Sequence, residues 1–438
     1  MSHHDVVVVG TGLAGLAAAV RLAEAGARVL VLAKGIGATH LSGGTVDVLG
    51  YAPERVERPA DALGAFLAAR PGHPYNHVGG DGIRTALAWL EDRVANGSLA
   101  PYAYLGSLDE NLLLPTAIGV PRPSAFVPAT MAGGDLRRGG AGGDVVVVGF
   151  RALKDFHPAL MADALGRSGI GVSARSVELD LVPEGRADVN ALGFARAFDV
   201  PAFRGQVVAQ VSARGLGAED RVAFPAVLGI ADPHGAWTGL EHGLGRRVFE
   251  VPTLPPSVPG MRLFAILREA LRRAGGTVLL NNVVVGAERE GPRVSALRVR
   301  VGLREERRGA DWVVLATGGF ASGGLELDSR WAARETALGL PVTGVPAAGD
   351  ERFRSGYFDD HPIARAGVAV DRELRPLDSA GDPVLENVLV AGATLAGAEP
   401  WKEKSGDGLS LSTGHRAAEL VLAASTTAAD PHAAAARI

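Results

Sequence analysis

Three glycines near the start of the chain, Gly10, Gly12 and Gly15, form the pattern G-x-G-x-x-G between the apolar run DVVVV and the stretch LAAAVRLAEAG. In a strand–turn–helix unit the first glycine permits a tight turn, the second lets a pyrophosphate approach the backbone, and the third lets helix and strand pack closely. The helix N-terminus offers N–H donors and a favourable dipole to the anion. The sequence therefore predicts a nucleotide-phosphate site, consisting of Gly10, Gly12, Leu13, Ala14 and Gly15.

Two further apolar runs, WVVLATGGF and ENVLVAGATLAG, also end in glycine-rich turns, and SGDGLSLSTG leads into a last helix. A nicotinamide enzyme usually completes its cofactor domain within one half of the chain. A sheet assembled from residues 5–34, 278–318 and 386–425 therefore favours a flavin. The N-terminus of the last helix can stabilise negative charge on reduced flavin. The predicted flavin contacts in these segments are Thr317, Gly318, Gly319, Gly392, Gly408, Leu409 and Ser410.

The stretch GIGATHLSGGTVDVLG follows the second predicted strand and carries small residues at Ser42, Gly43, Gly44 and Thr45. Small residues let backbone lie against a flat ring, and the two hydroxyl groups can donate to ring heteroatoms. His40 in the same stretch is a candidate flavin neighbour or base. The alternative is a flexible loop with a structural histidine, followed by the strand TVDVL.

The second strand, VLVLA, ends where a dinucleotide-binding unit normally carries an acidic residue that holds the adenosine ribose. Ala33 occupies this position and Lys34 follows it. Two explanations are open. The cofactor is FMN, which has no adenosine to hold, or it is FAD with the ribose held by water, backbone or Lys34. The missing carboxylate is the main argument from the residues against FAD.

The composition is that of a globular chain without a specialised surface: 47% of the 438 residues are hydrophobic, 21% are charged and the net charge is −4. No nucleic-acid partner is therefore expected. The chain has no cysteine, which excludes disulfides, thiolate iron–sulfur ligation and cysteine zinc sites, and we predict no metal site. The sequence shows neither a signal peptide nor an apolar run of about 20 residues, so a cytoplasmic protein is expected.

We predict an α/β protein with a Rossmann-like flavin-binding domain assembled from N-terminal, middle and C-terminal segments, and an inserted α+β capping or substrate domain. The flavin-binding parts are 1–50, 261–325 and 386–425, the inserted region is 51–260 with a return segment at 326–385, and 426–438 is a frayed tail. VPTLPPSVPGMRL is predicted as a stiff connection because of its prolines. MAGGDLRRGGAGG (131–143) is predicted as an exposed turn.

Several separated stretches resemble the B subunit of anaerobic glycerol-3-phosphate dehydrogenase, and the resemblance extends over residues 5–425. The two most specific are PTLPPSVPGMRL and LATGGFASGGL. The others are VVVVGTGLAGLAAAVRLAEAG, HLSGGTVDVLG, HPY, PAVLGIAD and ENVLVAGATLAG. The C-terminal loop differs from the family pattern, because a glycine- and cysteine-rich stretch is common there and this chain has WKEKSGDGLSLSTG.

The resemblance implies a flavoprotein subunit of a membrane-associated complex that oxidises sn-glycerol 3-phosphate to dihydroxyacetone phosphate and passes electrons to the quinone pool. It implies FMN in this subunit. Its partners would be an FAD-containing A subunit, which is catalytic, together with an iron–sulfur C subunit. Contact with the inner face of the cell membrane would then go through those partners.

Within such a complex the chain is either the catalyst or an electron relay. The alternative is another fumarate-reductase-like flavin oxidoreductase with a different small substrate. The distant sheet segments disfavour an NAD-dependent enzyme.

Flavin-dependent oxidation of an alcohol requires hydride removal from carbon and a base for the hydroxyl proton, and a phosphate-bearing substrate requires cations. Arg262, in PGMRL, is the first candidate cation, and His361 and His40 are candidate bases. Further candidates are Arg196, Lys402 and His73. For each of these residues the alternative is a surface charge or a structural histidine.

Overall fold

The computed structural model describes residues 3–137, 144–183, 189–218 and 220–429. It divides into two compact units: unit 1 is Met1–Ala38, Leu63–Ala88 and Leu267–Ile438, and unit 2 is Thr39–Ala62 and Trp89–Ile266. Part of the predicted exposed turn (138–143) and most of the predicted tail (430–438) lie outside the described residues.

The strands and helices of the described residues are numbered in chain order. The strands are β1 (His3–Val9), β2 (Val29–Ala33), β3 (Tyr104–Gly106), β4 (Leu112–Pro115), β5 (Pro121–Ser124), β6 (Phe126–Pro128), β7 (Val145–Phe150), β8 (Ala174–Leu179), β9 (Arg221–Pro225), β10 (Arg247–Val251), β11 (Thr277–Leu280), β12 (Asn282–Glu290), β13 (Arg293–Val301), β14 (Arg304–Leu315), β15 (Leu325–Leu327), β16 (Ala333–Glu335) and β17 (Val388–Val390). The helices are α1 (Leu13–Glu24), α2 (Pro59–Ala68), α3 (Gly79–Ala95), α4 (Ala129–Ala132), α5 (Pro158–Gly166), α6 (Ala191–Phe198), α7 (Pro201–Ser212), α8 (Pro233–Leu244), α9 (Val258–Arg273), α10 (Pro400–Glu403) and α11 (Gly406–Ala429).

The main sheet of unit 1 joins strands from opposite ends of the chain. Its order is β11-β2-β1-β14-β13-β12, and β17 also pairs with β14. β1, β2, β11 and β17 run parallel to their neighbours, whereas β12, β13 and the first half of β14 form an antiparallel meander. The valines of DVVVV are buried because both faces of β1 are covered. This sheet confirms the predicted split Rossmann-like fold.

The apolar run at 278–285 forms two strands instead of one. Asn281 adopts a left-handed backbone conformation (φ 58°), and the chain turns there. β11 before it pairs with β2, and β12 after it pairs with β13. The run VLLNNVVV is apolar on both sides of this residue, so hydrophobicity alone does not reveal the break.

Residues 326–385, predicted as a return segment of the inserted region, belong to unit 1. Their apolar side chains join one core with the main sheet, in which Leu338, Leu340 and Leu385 are buried together with Val313 and Leu315. Burial of these side chains against the sheet explains why the segment does not return to the inserted region. Of the predicted first flavin-binding segment, residues 1–38 belong to unit 1 and residues 39–50 belong to unit 2.

Unit 2 contains a parallel four-stranded sheet of order β10-β9-β7-β8, with two short antiparallel pairs, β3-β6 and β4-β5, beside it. The helices α5, α7 and α8 lie on the crossovers between successive parallel strands. Val145–Val148 of β7 are buried, which is typical of a central parallel strand. The inserted region was predicted as α+β, and it contains helices, a parallel main sheet and short antiparallel pairs.

Candidate functional site

The glycine pattern forms a turn between β1 and α1. Gly10 has φ +115°, and a Cβ placed on it would lie 2.2 Å from the Ala316 carbonyl oxygen, so only glycine fits there. A Cβ on Gly15 would lie 2.1 Å from the Gly10 oxygen. A Cβ on Gly12 would meet no other heavy atom of the described residues within 4 Å. Gly12 is also the N-cap of α1. Because glycine has no side chain, no side-chain hydrogen bond caps the helix here, and the helix N-terminus is open on this side.

The turns after β14 and β17 are joined by one buried hydroxyl group. Thr394 Oγ1 accepts the Gly318 N–H at 3.0 Å and donates to the Gly318 oxygen at 3.2 Å. Gly318 has φ +84°, which suits a residue without a side chain. Thr317 lies beside the same hydroxyl group, with 3.4 Å between the two Oγ1 atoms. Thr394 was not singled out from the sequence, although a threonine inside GATLAG is the signal that would have indicated it.

The start of α11 lies against the turn after β17. Gly392 donates its N–H to Thr413 Oγ1 at 2.9 Å, and Thr413 donates in turn to the Leu409 oxygen at 2.6 Å. A Cβ on Gly392 would approach Ala14 Cβ within 2.9 Å and Ser410 Oγ within 3.7 Å. The segments predicted from Gly10, Thr317, Gly392 and Gly408 therefore converge at the carboxyl end of the parallel strands, where ligands bind in such sheets.

In unit 2 the small-residue stretch 42–45 is held by its own surroundings. Ser42 Oγ donates to the Thr39 oxygen at 3.2 Å and accepts the Gly44 N–H at 3.3 Å. A Cβ on Gly44 would lie 2.3 Å from Pro259 Cβ, so the backbone packs closely against that proline. The stretch forms a turn with its own hydrogen bonds, and its contact with a flavin ring stays a prediction.

Arg122 is a cation beside this stretch that the sequence reasoning missed. Its Nη2 donates to Thr45 Oγ1 at 2.6 Å and to Ser124 Oγ at 3.3 Å. Nη1 lies 3.5 Å from Asp47 Oδ2, and a fifth of the Arg122 side chain is exposed. A Cβ on Gly43 would lie 3.5 Å from Nη2. The guanidinium thus lies along the small residues, and nothing in the local pattern VPRPSA indicates this position.

Arg262, the first candidate cation, lies in the protein interior. Its side chain is fully buried, and Nη1 and Nη2 donate to the two carboxylate oxygens of Glu250 at 2.7 and 2.9 Å. Nε and Nη2 also donate to the oxygens of Gly229 and Leu228. Burial works against the charge of Arg262, but the Glu250 carboxylate raises the pKa above its ordinary value. The predicted role of Arg262 in phosphate binding is therefore corrected, because its donors face protein acceptors.

The two candidate bases lie in different units. His361 follows an exposed loop of unit 1, where its Nδ1 accepts the Arg354 N–H at 3.0 Å and its Nε2 lies 3.1 Å from the Tyr357 oxygen. Both ring nitrogens thus hold the loop together. His40 of unit 2 packs edge-on against Phe264 with 4.7 Å between ring centroids. A catalytic role for either histidine stays a prediction.

The other residues predicted from the sequence lie at the surface or in the interior as follows. Lys34 is exposed at the end of β2, and Arg196 is exposed on α6. Lys402 pairs with Asp360 and lowers the pKa of that carboxyl group. His73 is fully buried against Glu403. The catalytic role considered for His73 is therefore unfavourable, since its ring is enclosed within unit 1.

A cleft of about 400 Å³ lies at the amino end of the strands, lined by Asp5, Trp312 and Ser425 among others. It is at the opposite end of β1 from the glycine turn. Ligands of parallel α/β sheets bind beyond the carboxyl ends of the strands, so the glycine turns define the candidate site and this cleft does not.

The fold and the converging glycine turns define a flavin-binding oxidoreductase of the Rossmann type. A family model described as FAD binding domain matches residues 5–409. A probable B subunit of anaerobic glycerol-3-phosphate dehydrogenase from Halobacterium salinarum is 34% identical over 429 residues, covering 94% of this chain and 96% of the relative. The corresponding protein of Yersinia enterocolitica is 32% identical, with 96% and 98% covered. The chain belongs to the FAD binding domain family and, within it, to the family of the B subunit of anaerobic glycerol-3-phosphate dehydrogenase.

Among solved structures, a 3-ketosteroid Δ1-dehydrogenase from Sterolibacterium denitrificans matches with a TM-score of 0.47 and 15% identity, covering 97% of this chain and 100% of that chain. Similarity at this level carries no information about substrate. The prediction of a flavin is confirmed by the family. The preference for FMN finds no support, because the matching family binds FAD.

Across the part of the chain that the structure describes, none of the helices has both the length and the apolar character needed to cross a membrane.

Proposed function

We propose that this chain is the B subunit of a complex that oxidises sn-glycerol 3-phosphate to dihydroxyacetone phosphate and passes the electrons towards quinone. The observation that carries the proposal is the convergence of four glycine-rich segments at one end of the main sheet, in a chain that matches its named relatives over nearly its whole length. The name of those relatives implies partner subunits. The partners we propose are a catalytic A subunit, which contains FAD, together with an iron–sulfur C subunit.

The residues of unit 1 fit FAD. We assign the pyrophosphate to the open side of Gly12, where α1 begins with LAGL and brings no acidic side chain to its first turn. The ribose contacts then come from backbone, water or the exposed Lys34 at the end of β2. When bound, FAD supplies the acceptor for a hydride from the alcohol carbon. The N-terminus of α11 brings the partial positive charge of the helix dipole near Gly408–Ser410, and its first turn also carries the carboxyl group of Asp407.

The substrate phosphate is assigned to Arg122 in place of Arg262. A guanidinium suits a phosphate because its planar donors can make two parallel hydrogen bonds. Arg122 has such donors beside the 42–45 stretch, and its carboxylate partner Asp47 lies at 3.5 Å, longer than a short charge-assisted bond. His40 in the same unit stays the proposed base.

We place the chain in the cytoplasm, at the inner face of the cell membrane through its partners. Catalyst and electron relay differ in what the isolated chain does. A catalyst holds a flavin and transfers electrons from glycerol 3-phosphate to it without help, whereas a relay needs its partner subunits first.

The test is anaerobic reduction of the purified chain, after mass spectrometry of the flavin released from it. We expect FAD, and bleaching of its absorbance by glycerol 3-phosphate alone if the chain is the catalyst. Bleaching only in the presence of the partner subunits indicates a relay. Reduction by another small acid or alcohol, but not by glycerol 3-phosphate even in the complex, would refute the proposed substrate. A chain purified without flavin and unable to bind it would refute the cofactor.

A further inference from the structure

Two stretches of unit 1 that lie far apart in the sequence meet just before α11. One is HPY, His73–Tyr75, and the other is the chain from Gly397 to Ser405. Their backbones touch: a Cβ placed on Gly397 would lie 2.0 Å from the Gly72 carbonyl oxygen. His73, Tyr75 and Ser405 are each fully buried, and Glu403 is nearly so. The HPY stretch therefore packs against the chain that leads into α11, although it contains none of the predicted flavin contacts.

His73 links Tyr75 to Glu403 through its two ring nitrogens. Its Nδ1 accepts the Tyr75 N–H at 3.2 Å. Nε2 is 3.2 Å from Glu403 Oε2. The same carboxylate accepts from Ser405 Oγ at 2.8 Å and from the Glu399 N–H at 3.2 Å. Burial opposes the charge of Glu403, but these donors, His73 first, lower its pKa below the ordinary value.

Tyr75 acts directly on the first turn of the helix. Its hydroxyl group donates to the Ser405 carbonyl oxygen at 3.2 Å. The same oxygen accepts the Leu409 N–H at 2.8 Å, which is the hydrogen bond that starts α11. The position of the helix N-terminus is therefore fixed by contacts from residues 73–75, which lie far earlier in the chain.

We propose that His73, Tyr75 and Glu403 are positioning residues that hold the N-terminus of α11 at the flavin and thereby set the reduction potential of the flavin. Gly408 and Leu409, predicted as flavin contacts, lie within this first turn together with Asp407, and Ser410 follows it. The partial positive charge of a helix N-terminus falls off within one turn, so a small displacement changes its effect on a nearby anion. The proposal rests on flavin binding and not on the identity of the substrate.

The first measurement is backbone amide exchange of the flavin-free protein. Tyr75→Phe removes one hydroxyl group and keeps the ring, so the fold is retained. We expect the amides of residues 409–413 to exchange about tenfold faster, because the first turn loses a buried hydrogen bond and opens locally. Tyr102→Phe, at a fully buried tyrosine of unit 2, is the matched control and leaves those amides unchanged. Unchanged exchange of residues 409–413 in Tyr75→Phe overturns the proposal.

The second measurement is the midpoint potential of the bound flavin, titrated with dithionite and a reference dye, so that no substrate is needed. Tyr75→Phe and His73→Ala should both lower the potential, since the displaced helix N-terminus stabilises reduced flavin less. A tenfold loss in the relative binding of the reduced form corresponds to a shift of about 30 mV for a two-electron couple. His73→Gln keeps a donor near the Nε2 position and should restore most of the potential.

These outcomes separate a positioning role from a merely structural one. Equal loss of stability in His73→Ala and His73→Gln, with the potential of both unchanged from the parent protein, overturns the proposal. Failure of glycerol 3-phosphate to reduce the flavin affects the proposed substrate only, because neither exchange nor dithionite titration uses it.

Discussion

Arg122 and Arg262 differ in their surroundings, and the surroundings of an arginine determine which partners its guanidinium can reach. The Arg262 guanidinium is enclosed and meets Glu250 and two carbonyl oxygens. Such a buried pair is costly to break, because either partner alone would be an uncompensated charge. Arg122 is held by Thr45 and Ser124, and a fifth of its side chain is exposed. Of these two arginines, Arg122 alone is partly exposed to solvent.

At the residue scale, we predict that Arg122→Lys lowers kcat/KM for glycerol 3-phosphate by about tenfold to a hundredfold, the range expected for loss of a charge-assisted hydrogen bond. Lysine retains the charge opposite Asp47, so the fold is maintained. The measurement compares glycerol 3-phosphate with glycerol in the intact complex. Glycerol has no phosphate and should show a much smaller change. Arg196→Ala, at an exposed residue of α6, is the control. Equal losses with the two alcohols would show that Arg122 does not contact the phosphate.

At the scale of elements, the junction between β1 and α1 follows from residue types alone. Gly10 and Gly15 are required by close backbone contacts, and Gly12 is bordered by open space. The sequence pattern predicted each of these environments, because each glycine of the motif has its own steric reason. The break at Asn281 was not predicted, since VLLNNVVV is apolar on both sides and tertiary pairing selects the turn.

The open side of Gly12 leads to a second prediction. Gly12→Ala should leave the thermal stability of the flavin-free protein nearly unchanged, because φ is −68° and the added methyl group meets no described atom. The same methyl group would occupy the space assigned to the pyrophosphate, so the affinity for FAD should fall at least about tenfold. Isothermal titration calorimetry of the flavin-free protein with FAD measures this affinity.

Gly205→Ala in α7 is the matched control, since its Cβ also meets no described atom within 4 Å. It should leave the FAD affinity unchanged. If Gly12→Ala binds FAD as tightly as the parent protein, the pyrophosphate does not lie beside Gly12.

At the scale of the whole molecule, the sequence predicted which distant segments share a sheet, because each is a buried apolar run that ends in glycine. It did not predict that 326–385 belong to unit 1 or that 63–88 do. The segment 326–385 is recruited by long-range burial, as Leu338 and Leu340 show, and its local pattern contains no strong strand or helix period. The positions of Arg122 and Arg262 depend on such long-range packing too, so the burial of Arg262 against Glu250 could not be predicted from the sequence.

Unit 1 also has three histidines whose environments couple its stability to pH. Burial lowers the pKa of His77 and His415, and burial with the nearby Arg308 and Arg28 lowers that of His4. In the unfolded chain these rings titrate near their usual value of about 6.5. At pH values between the lowered pKa of the folded state and the pKa of the unfolded state, the unfolded state binds more protons than the folded state. Stability is therefore complete above about pH 6.5 and is lost as the pH falls through this window.

We predict that the urea midpoint of unfolding, followed by intrinsic tryptophan fluorescence, is lower at pH 5.5 than at pH 7.5 at constant ionic strength. His415→Gln should reduce the difference between the two midpoints, because glutamine takes up no proton on unfolding. His242→Gln changes an exposed histidine of α8 and should leave the difference as it is. Glu403 contributes in the same direction at lower pH, since its lowered pKa stabilises the fold above the unfolded value of about 4.3. An unchanged pH dependence in His415→Gln would mean that other groups, His77 and His4 first among them, set the acid sensitivity of unit 1 between pH 5.5 and pH 7.5.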